Sequence, residues 1–504
     1  MKYLLGIDIG TQSTRAALVS EQGVVFALAT EPSKLHRQSG GQVWQEPEQM
    51  YADCLTTIKA VMLQADIDPR DVCSICIDGQ MAGVMGIDTE GRAVTPYDSW
   101  LDQRCEGYWQ PIKDYGEQRV ISITGAPVTY AHGPKILWWK YERPEVYARI
   151  HRFVMPAAYL TMRMCALKGK DAFIDHTYLH FTGFADTKNR AWSPELLDAF
   201  GVDPNKMPRI VRPWDIAGTL SREAADACLL REGIPMVCGC GDTAACALGA
   251  GVTAPGTMFD VAGTASVFAC ATDTYAPDTE HKTILYARSV LEDLYMPMAY
   301  LSGGGMCLRW FRDTVLGEKL SYHELDEMAA SVACGSDALL FLPYFSGRVC
   351  PQDASAFGAW LGLSWQHGPA QMYRSIIESI AYEYHIYLDI LRSRLPIATD
   401  AHVLSIGGGA ISPIMNQIKA DVLGLPVSTL KNTDHGALGC AVIAGYGVGL
   451  YPDIAAAVKR LTHINSTCAV DAQSHSRYAP FYEAYKASEG ALRPVCTMLS
   501  AQRR

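Results

Sequence analysis

The sequence predicts an α/β fold built as two related lobes, and three observations carry that prediction. Apolar strand patterns and helical patterns alternate along the whole chain. A strand, a tight turn and a second strand at Leu4-Leu-Gly-Ile-Asp8-Ile-Gly10-Thr11-Gln12-Ser13-Thr14 return half a chain later as Met258-Phe-Asp260-Val-Ala-Gly263-Thr264-Ala-Ser266. At 504 residues the chain has ample length for more than one core.

The elements follow in order. Residues 3–9, 15–19 and 24–30 read as a three-strand meander punctuated by Gly10 and Gly23. A helix over 47–64 precedes a strand that ends at Ile77-Asp78-Gly79-Gln80, and helical spacing returns over Gly133–Tyr141 and Ala157–Met164. Residues 168–195 are loop-rich. A short apolar strand, Pro235–Cys238, leads into Gly239-Cys240-Gly241-Asp242-Thr243 and a small-residue helix, Ala244–Gly249. The second Gly-Thr hairpin follows, so the lobe boundary falls near 247–255. The division is 1–247, 248–485 and a tail over 486–504. A long helix covers 369–394, and Val403–Ile406 is a strand feeding Gly407-Gly408-Gly409 and a helix through Val422. A last small-residue helix spans Thr433–Tyr446. Only the final Gln502–Arg504 reads as disordered.

Composition excludes several classes. Hydrophobic residues make up 49% and charged residues 19%, with a formal net charge of −10. That balance argues against a nucleic-acid partner, which needs a basic surface. No apolar run is long enough to span a membrane, and no charged n-region precedes an apolar stretch, so neither a membrane anchor nor a signal peptide is expected. The 16 cysteines lie mostly inside apolar patterns and read as reduced and cytoplasmic. The lone Cys73-x-x-Cys76 lacks a second pair, and His176 and His180 lack the glutamate of a zinc-protease helix, so they read as surface or pocket histidines.

Four glycine turns could converge on a nucleotide. Backbone N–H groups and hydroxyls at Gly10-Thr11 and Gly263-Thr264 suit a phosphate. Ser302-Gly303-Gly304-Gly305 and Gly407-Gly408-Gly409-Ala410 stand at strand-to-helix junctions, where glycine admits a flat ring or a phosphate close to the backbone. No P-loop string and no dinucleotide fingerprint occurs. Asp242 stands at a helix start, where an N-cap aspartate is common. Its small neighbours leave room for a substrate hydroxyl beside the carboxylate, which suits a general base for phosphoryl transfer. Asp8, beside the first turn, suits the metal side.

These features together resemble the FGGY carbohydrate kinase family, in its xylulokinase-like branch, within the actin-like ATPase superfamily. Gly358-Ala-Trp360-Leu-Gly362-Leu363, seven residues, then Gln371-Met372-Tyr-Arg-Ser375-Ile-Ile-Glu378 fits the family's C-terminal signature at every constrained position. Gly79-Gln80-Met81, Trp100-Leu-Asp102-Gln-Arg104, Pro134-Lys135, Gly241-Asp242 and Ala437-Leu-Gly439 fall in the family's order, so the resemblance covers nearly the whole chain. It implies two ribonuclease-H-like lobes with an interlobe cleft, ATP and Mg²⁺ as cofactors, and a small sugar substrate. It allows a homodimer. It makes Asp242 the catalytic base and places Asp8, with Asp242, on the metal side. Thr11, Gln12 and Ser13 would line the phosphates from one lobe, and Gly263 and Thr264 from the other. Gly303, Gly408, Gly409 and Ala410 would border the nucleotide. Gln80, Met81, Ala82, Trp100, Asp102 and Arg104 would lie by the sugar, most simply a pentulose.

Some positions depart from the pattern. Gln80-Met81-Ala82-Gly83 stands where xylulokinases read Gln-Met-His-Gly, and Ser346-Gly347-Arg348-Val349-Cys350-Pro351 replaces Ser-Gly-Glu-Arg-Thr-Pro. The loss at Ala82 falls on sugar recognition and leaves open a polyol, a sugar acid or a furanone precursor as acceptor. An actin-like ATPase without sugar kinase activity is the rival class that the Gly-Thr repeats alone permit. Asp242 and the fit over 358–378 count against it.

Overall fold

The computed structural model describes residues 1–399 and 401–502, so part of the tail read as disordered lies outside the described residues. The first half forms a sheet from β1 (Tyr3–Ile9), β2 (Ser13–Ser20), β3 (Val25–Pro32), β4 (Val72–Gly79), β5 (Ile216–Thr219), β6 (Pro235–Val237) and β7 (Cys240–Gly241). The second half forms another from β8 (Met258–Ala262), β9 (Ser266–Cys270), β10 (Leu285–Arg288), β11 (Tyr295–Leu301), β12 (Val403–Ile406), β13 (Val427–Leu430) and β14 (Ile464–Cys468).

The two sheets share one plan. The order β3-β2-β1-β4-β6-β5 in the first corresponds to β11-β9-β8-β12-β13-β14 in the second. Successive pairs run antiparallel, antiparallel, parallel, parallel and antiparallel in both. The predicted two-lobed α/β architecture is therefore present, repeat included. Central strands such as β1 and β4 are buried along nearly their whole length, as parallel pairing with helices on both faces requires.

Helices form where the spacing predicts them at α1 (Pro47–Ala65), α2 (Asp242–Gly249), α3 (Pro369–Arg394) and α4 (His435–Gly447). A further helix that the sequence reading did not foresee, α5 (Ala472–Ser500), takes up most of the segment read as a tail. Pro47 and Pro369 each open a helix, where the missing N–H is no loss. The helices α2 and α4 join the halves. They cross so closely that a Cβ on Gly249 would lie 1.9 Å from the His435 carbonyl oxygen, and one on Gly439 2.0 Å from that of Ala245. Only glycine fits at either contact, which explains why both helices read as small-residue segments.

The halves also meet along β10. Tyr286 N–H donates to the Gly125 carbonyl at 2.7 Å. The buried Arg288 guanidinium donates to the carbonyls of Thr187 and Lys188 at 3.2 and 3.0 Å. His176 presents Nε2 to the carbonyls of Ser289 and Val290 at 2.9 and 3.2 Å. His176 and His180 are thus fully buried rather than at the surface. The loop-rich stretch that carries them is packed against the other half, a tertiary contact that local spacing does not encode. Burial pushes both imidazoles down to about 3, so they are neutral. All 16 cysteines are free thiols, and no helix among the described residues is long and apolar enough to cross a membrane.

Candidate active site

The carboxylates at the ends of β1 and β4 and at the start of α2 define the site. Parallel pairing sets Asp8 directly beside Asp78, and β7 brings Cys240 against Asp78 and Gly241 against Gly79. Asp242 is the first residue of α2 rather than its cap, since Gly241 takes the cap position. Its Oδ1 accepts the Thr243 N–H at 2.5 Å and the Thr243 hydroxyl at 3.1 Å, and the side chain stays half-buried. Burial, then the charge of Asp8, pushes Asp242 up to about 7. Burial also raises Asp8, against a hydrogen bond with Asp78 and the charge of Arg15.

Asp78 escaped the sequence reading, where it looked like an ordinary strand residue. It is fully buried, and the Cys440 thiol of α4 donates to its Oδ2 at 3.2 Å. Burial, Cys440, Asp8 and Asp242 hold it well above the carboxylate range. A charged residue inside the apolar run Ser74-Ile-Cys-Ile-Asp78 was the signal that could have found it.

Asp260 corrects the apparent equivalence of the two acidic turns. Asp8 stands one residue before the last pair of its hairpin, Ile9 with Thr14, and Asp260 stands two before Ala262 with Ser266. A one-residue offset sends a strand side chain to the opposite face. Asp260 is accordingly fully buried and paired with Lys419 at 2.9 Å, whose Nζ also donates to Ser405 at 2.6 Å. It is a core ion pair and faces no turn.

The Gly10-Thr11 turn and two of the residues expected by the sugar, Gln80 and Trp100, are hydrogen-bonded together. Trp100 Nε1 donates to Thr11 Oγ1 at 2.9 Å, and Thr11 Oγ1 donates to Gln80 Oε1 at 3.2 Å. Gln12 is exposed and Ser13 half-buried at the same turn. Met81 packs on Gly241, where an added Cβ would lie 2.6 Å from its sulfur. Ala82 is half-buried at φ 61°, immediately beyond.

Asp102 and Arg104 are spent on each other. Asp102 Oδ2 accepts the Val43 N–H at 2.9 Å, and Arg104 Nε donates to the same carboxylate at 2.9 Å. Arg104 also reaches Asp98 Oδ1 at 2.6 Å and lies 4.2 Å from the Trp138 ring centroid. Trp139 Nε1 donates to Asp98 Oδ2 at 2.5 Å. Burial raises Asp98 to about 6, with Arg104 opposing. This network fixes the 97–104 loop against the 132–142 helix.

The remaining glycine turns lie against one another in the second half. Gly305 N–H donates to the Gly263 carbonyl at 3.1 Å and Met306 N–H to that of Thr264 at 2.8 Å. Gly303 is the N-cap of a short helix, Gly304–Trp310. A Cβ on Gly409 would lie 2.8 Å from that of Ala262, whereas Gly408 and Ala410 border open ground, with no atom within 4 Å of a Cβ on Gly408. The signature over 358–378 lies elsewhere: its hairpin strand pairs Ala359–Leu361 with Leu340–Leu342, and Glu378 sits inside the core.

Among the described residues no three His, Cys, Asp or Glu side chains converge into a metal-holding group. Two carboxylates suffice for Mg²⁺, which keeps several waters and takes further oxygens from substrate phosphates. Asp8 and Asp242, beside a phosphate-type turn, fit that chemistry.

Duplicated sheets that each carry a Gly-Thr hairpin, joined by paired helices of which one starts at Asp242, have the architecture of a two-lobed kinase. Family models for the N-terminal and C-terminal domains of the FGGY carbohydrate kinases match residues 3–249 and 259–448. The chain belongs to the FGGY family and is an ATP-dependent sugar kinase. A xylulose kinase of Staphylococcus epidermidis is 28% identical over 488 residues, covering 96% of each chain. A gluconokinase of Bacillus subtilis is 26% identical over 460 residues, covering 89% of this chain and 88% of that one. Among solved structures, a xylulose kinase from Rhodospirillum rubrum superposes with a TM-score of 0.87 at 25% identity, covering 98% of this chain and 100% of that one.

Proposed function

We propose that this kinase transfers the γ-phosphate of ATP to a hydroxyl of a small neutral sugar, with a pentulose the favoured acceptor, and that ATP–Mg²⁺ occupies the cleft between the lobes. The observation that carries this reading is Asp242: a half-buried carboxylate raised to about 7, among small residues, within reach of the charge of Asp8 and following a strand whose Gly241 lies beside Gly79. A base with a pKa near the working pH accepts a hydroxyl proton efficiently. Asp242 takes that proton as the oxygen attacks phosphorus in line. The Gly-Thr turns offer N–H and O–H donors to the transferring group, where catalysis of this kind resides. Mg²⁺, held by Asp8 with Asp242, would neutralise charge on the phosphates.

Charge favours a neutral acceptor over a sugar acid. Arg104, the cation of the sugar-side set, is engaged by Asp98 and Asp102. An acceptor carboxylate there would meet the carboxylates of Asp98 and Asp102 with their guanidinium already paired, and burying an unpaired charge is costly.

Asp8→Ala is expected to raise the Mg²⁺ concentration needed for half-maximal turnover and to lower kcat, with a smaller change in sugar KM. A Mg²⁺ titration of the variant that overlays the wild type would remove Asp8 from the metal side.

D-Xylulose is not expected to be the best substrate. Ala82 removes an imidazole from the sugar side, and losing one hydrogen-bond partner costs about 1–3 kcal/mol. Neither Arg104 nor His176 compensates, since the first is bound to two carboxylates and the second to backbone carbonyls in the other half. Comparing kcat/KM across pentuloses, hexuloses, polyols and aldonates decides the matter. D-Xylulose in first place would overturn the expectation, and an aldonate in first place would overturn the charge argument.

A further inference from the structure

Thr11 stands where the phosphate side and the sugar side meet, and its hydroxyl has a single proton. That proton goes to Gln80 Oε1 at 3.2 Å, while the Trp100 indole N–H occupies a lone pair at 2.9 Å. Gln80 cannot exchange its amide ends. Its Nε2 donates to Gln45 Oε1 at 2.6 Å and to the Gly10 carbonyl at 3.4 Å, and a backbone carbonyl only accepts. Gln80 and Gln45 are both 1% exposed, so their amides are held by protein partners rather than by bulk solvent. Gln80 Oε1 has no other donor among the described residues.

One proton therefore serves two claimants. A phosphate oxygen arriving at the Gly10-Thr11 turn needs the Thr11 O–H as a donor, and taking it leaves Gln80 Oε1 free. A sugar hydroxyl that donates to Gln80 Oε1 releases the Thr11 proton toward the phosphate. We propose that the Thr11–Gln80 hydrogen bond is a shared-proton link through which acceptor and nucleotide each strengthen the binding of the other. Thr11 is in this sense a positioning residue. The link rests on the kinase reading, in which the turn faces phosphate and Gln80 faces the acceptor.

Trp100 extends the link to the second half. Its ring meets Tyr300 edge-on with centroids 6.3 Å apart. Tyr300 lies on β11 just before Ser302-Gly303, the turn read as bordering the nucleotide. The indole N–H thus holds Thr11 while the ring rests on the opposite wall.

The test is a binding cycle on the full-length enzyme. Titration calorimetry would measure the Kd of the best-bound member of a panel of pentuloses, hexuloses, polyols and aldonates, with and without a non-hydrolysable ATP analogue and Mg²⁺. In the wild type each ligand should tighten the other by ~5–150-fold, the range of typical coupling between sites, and the factor must be the same in both directions. Thr11→Val and Thr11→Ala should bring the factor to within about twofold of one, and Thr11→Ser, which restores the hydroxyl, should recover it. A purely structural Thr11 would weaken each ligand alone and leave the factor unchanged, which overturns the link. Independent binding in the wild type overturns it too, while the kinase reading stands. If neither the sugar panel nor the analogue binds the wild type, the kinase reading fails and the link with it.

Discussion

Asp242→Asn should abolish turnover while leaving sugar and ATP binding nearly intact. The substitution keeps the shape of the side chain and removes its ability to take a proton. Loss of a general base typically costs ~10²–10⁴-fold in rate. The amide can still accept the Thr243 N–H and hydroxyl that position the carboxylate, so the start of α2 should not shift. Rapid-quench measurement of sugar phosphate, with calorimetric Kd values for each substrate, separates chemistry from binding. A variant that keeps more than about a third of the wild-type rate would exclude Asp242 as the base, because that loss is far below the general-base range.

Glu378→Ala should destabilise the second half severely, with an expected loss of about 3–5 kcal/mol. Glu378 is fully buried and accepts from Arg374 Nε at 2.8 Å, Ser336 Oγ at 2.8 Å, the Gly335 N–H at 3.0 Å and the Tyr478 hydroxyl at 3.0 Å. Residues 335–338 are four consecutive left-handed residues, with φ of 82°, 50°, 57° and 68°. Each of the three that is not glycine costs about 1–2 kcal/mol in that region, a strain offset by the Glu378 clamp on Gly335 and Ser336 together with the contacts of Asp337 to His367 and Gln371. Without the carboxylate, Arg374 becomes a buried charge with no counter-ion. Removing Glu195 from its exposed pair with Arg119 should leave stability almost unchanged. Denaturant unfolding of both variants makes the comparison, and a Glu378→Ala loss below about 1 kcal/mol would show that the turn does not depend on the clamp.

Much of the fold was legible because its signals are local. The meander, the 369–394 helix and the strand feeding Gly407 all follow from hydrophobic period and glycine placement, and the repeated Gly-Thr hairpin announced the duplicated sheets. Pairings across the chain were not legible. Nothing in the spacing of Asp102 and Arg104 says that they consume each other's charge, and nothing near His176 says that Ser289 lies against it. Asp78 matters only because β4 runs parallel to β1 in a register that sets it beside Asp8. Asp260 misled because a motif is read by identity, whereas a strand side chain is directed by parity. The long signature over 358–378 identified the family, yet its charged residue does structural work in the second half.

The pairing of Asp260 with Lys419 leaves the cleft electrically lopsided. One wall presents the half-buried Asp8 and Asp242, with the fully buried Asp78 held toward its neutral form, and the acidic residue before the other wall's turn is paired inside its own core. Free ATP, carrying several negative charges, is repelled by the first wall and not by the second, since like charges about 4 Å apart repel by several kcal/mol at an effective dielectric near 20. Nucleotide stripped of its cation should therefore load onto one wall and stall there, a poor competitor for the metal complex rather than a strong one.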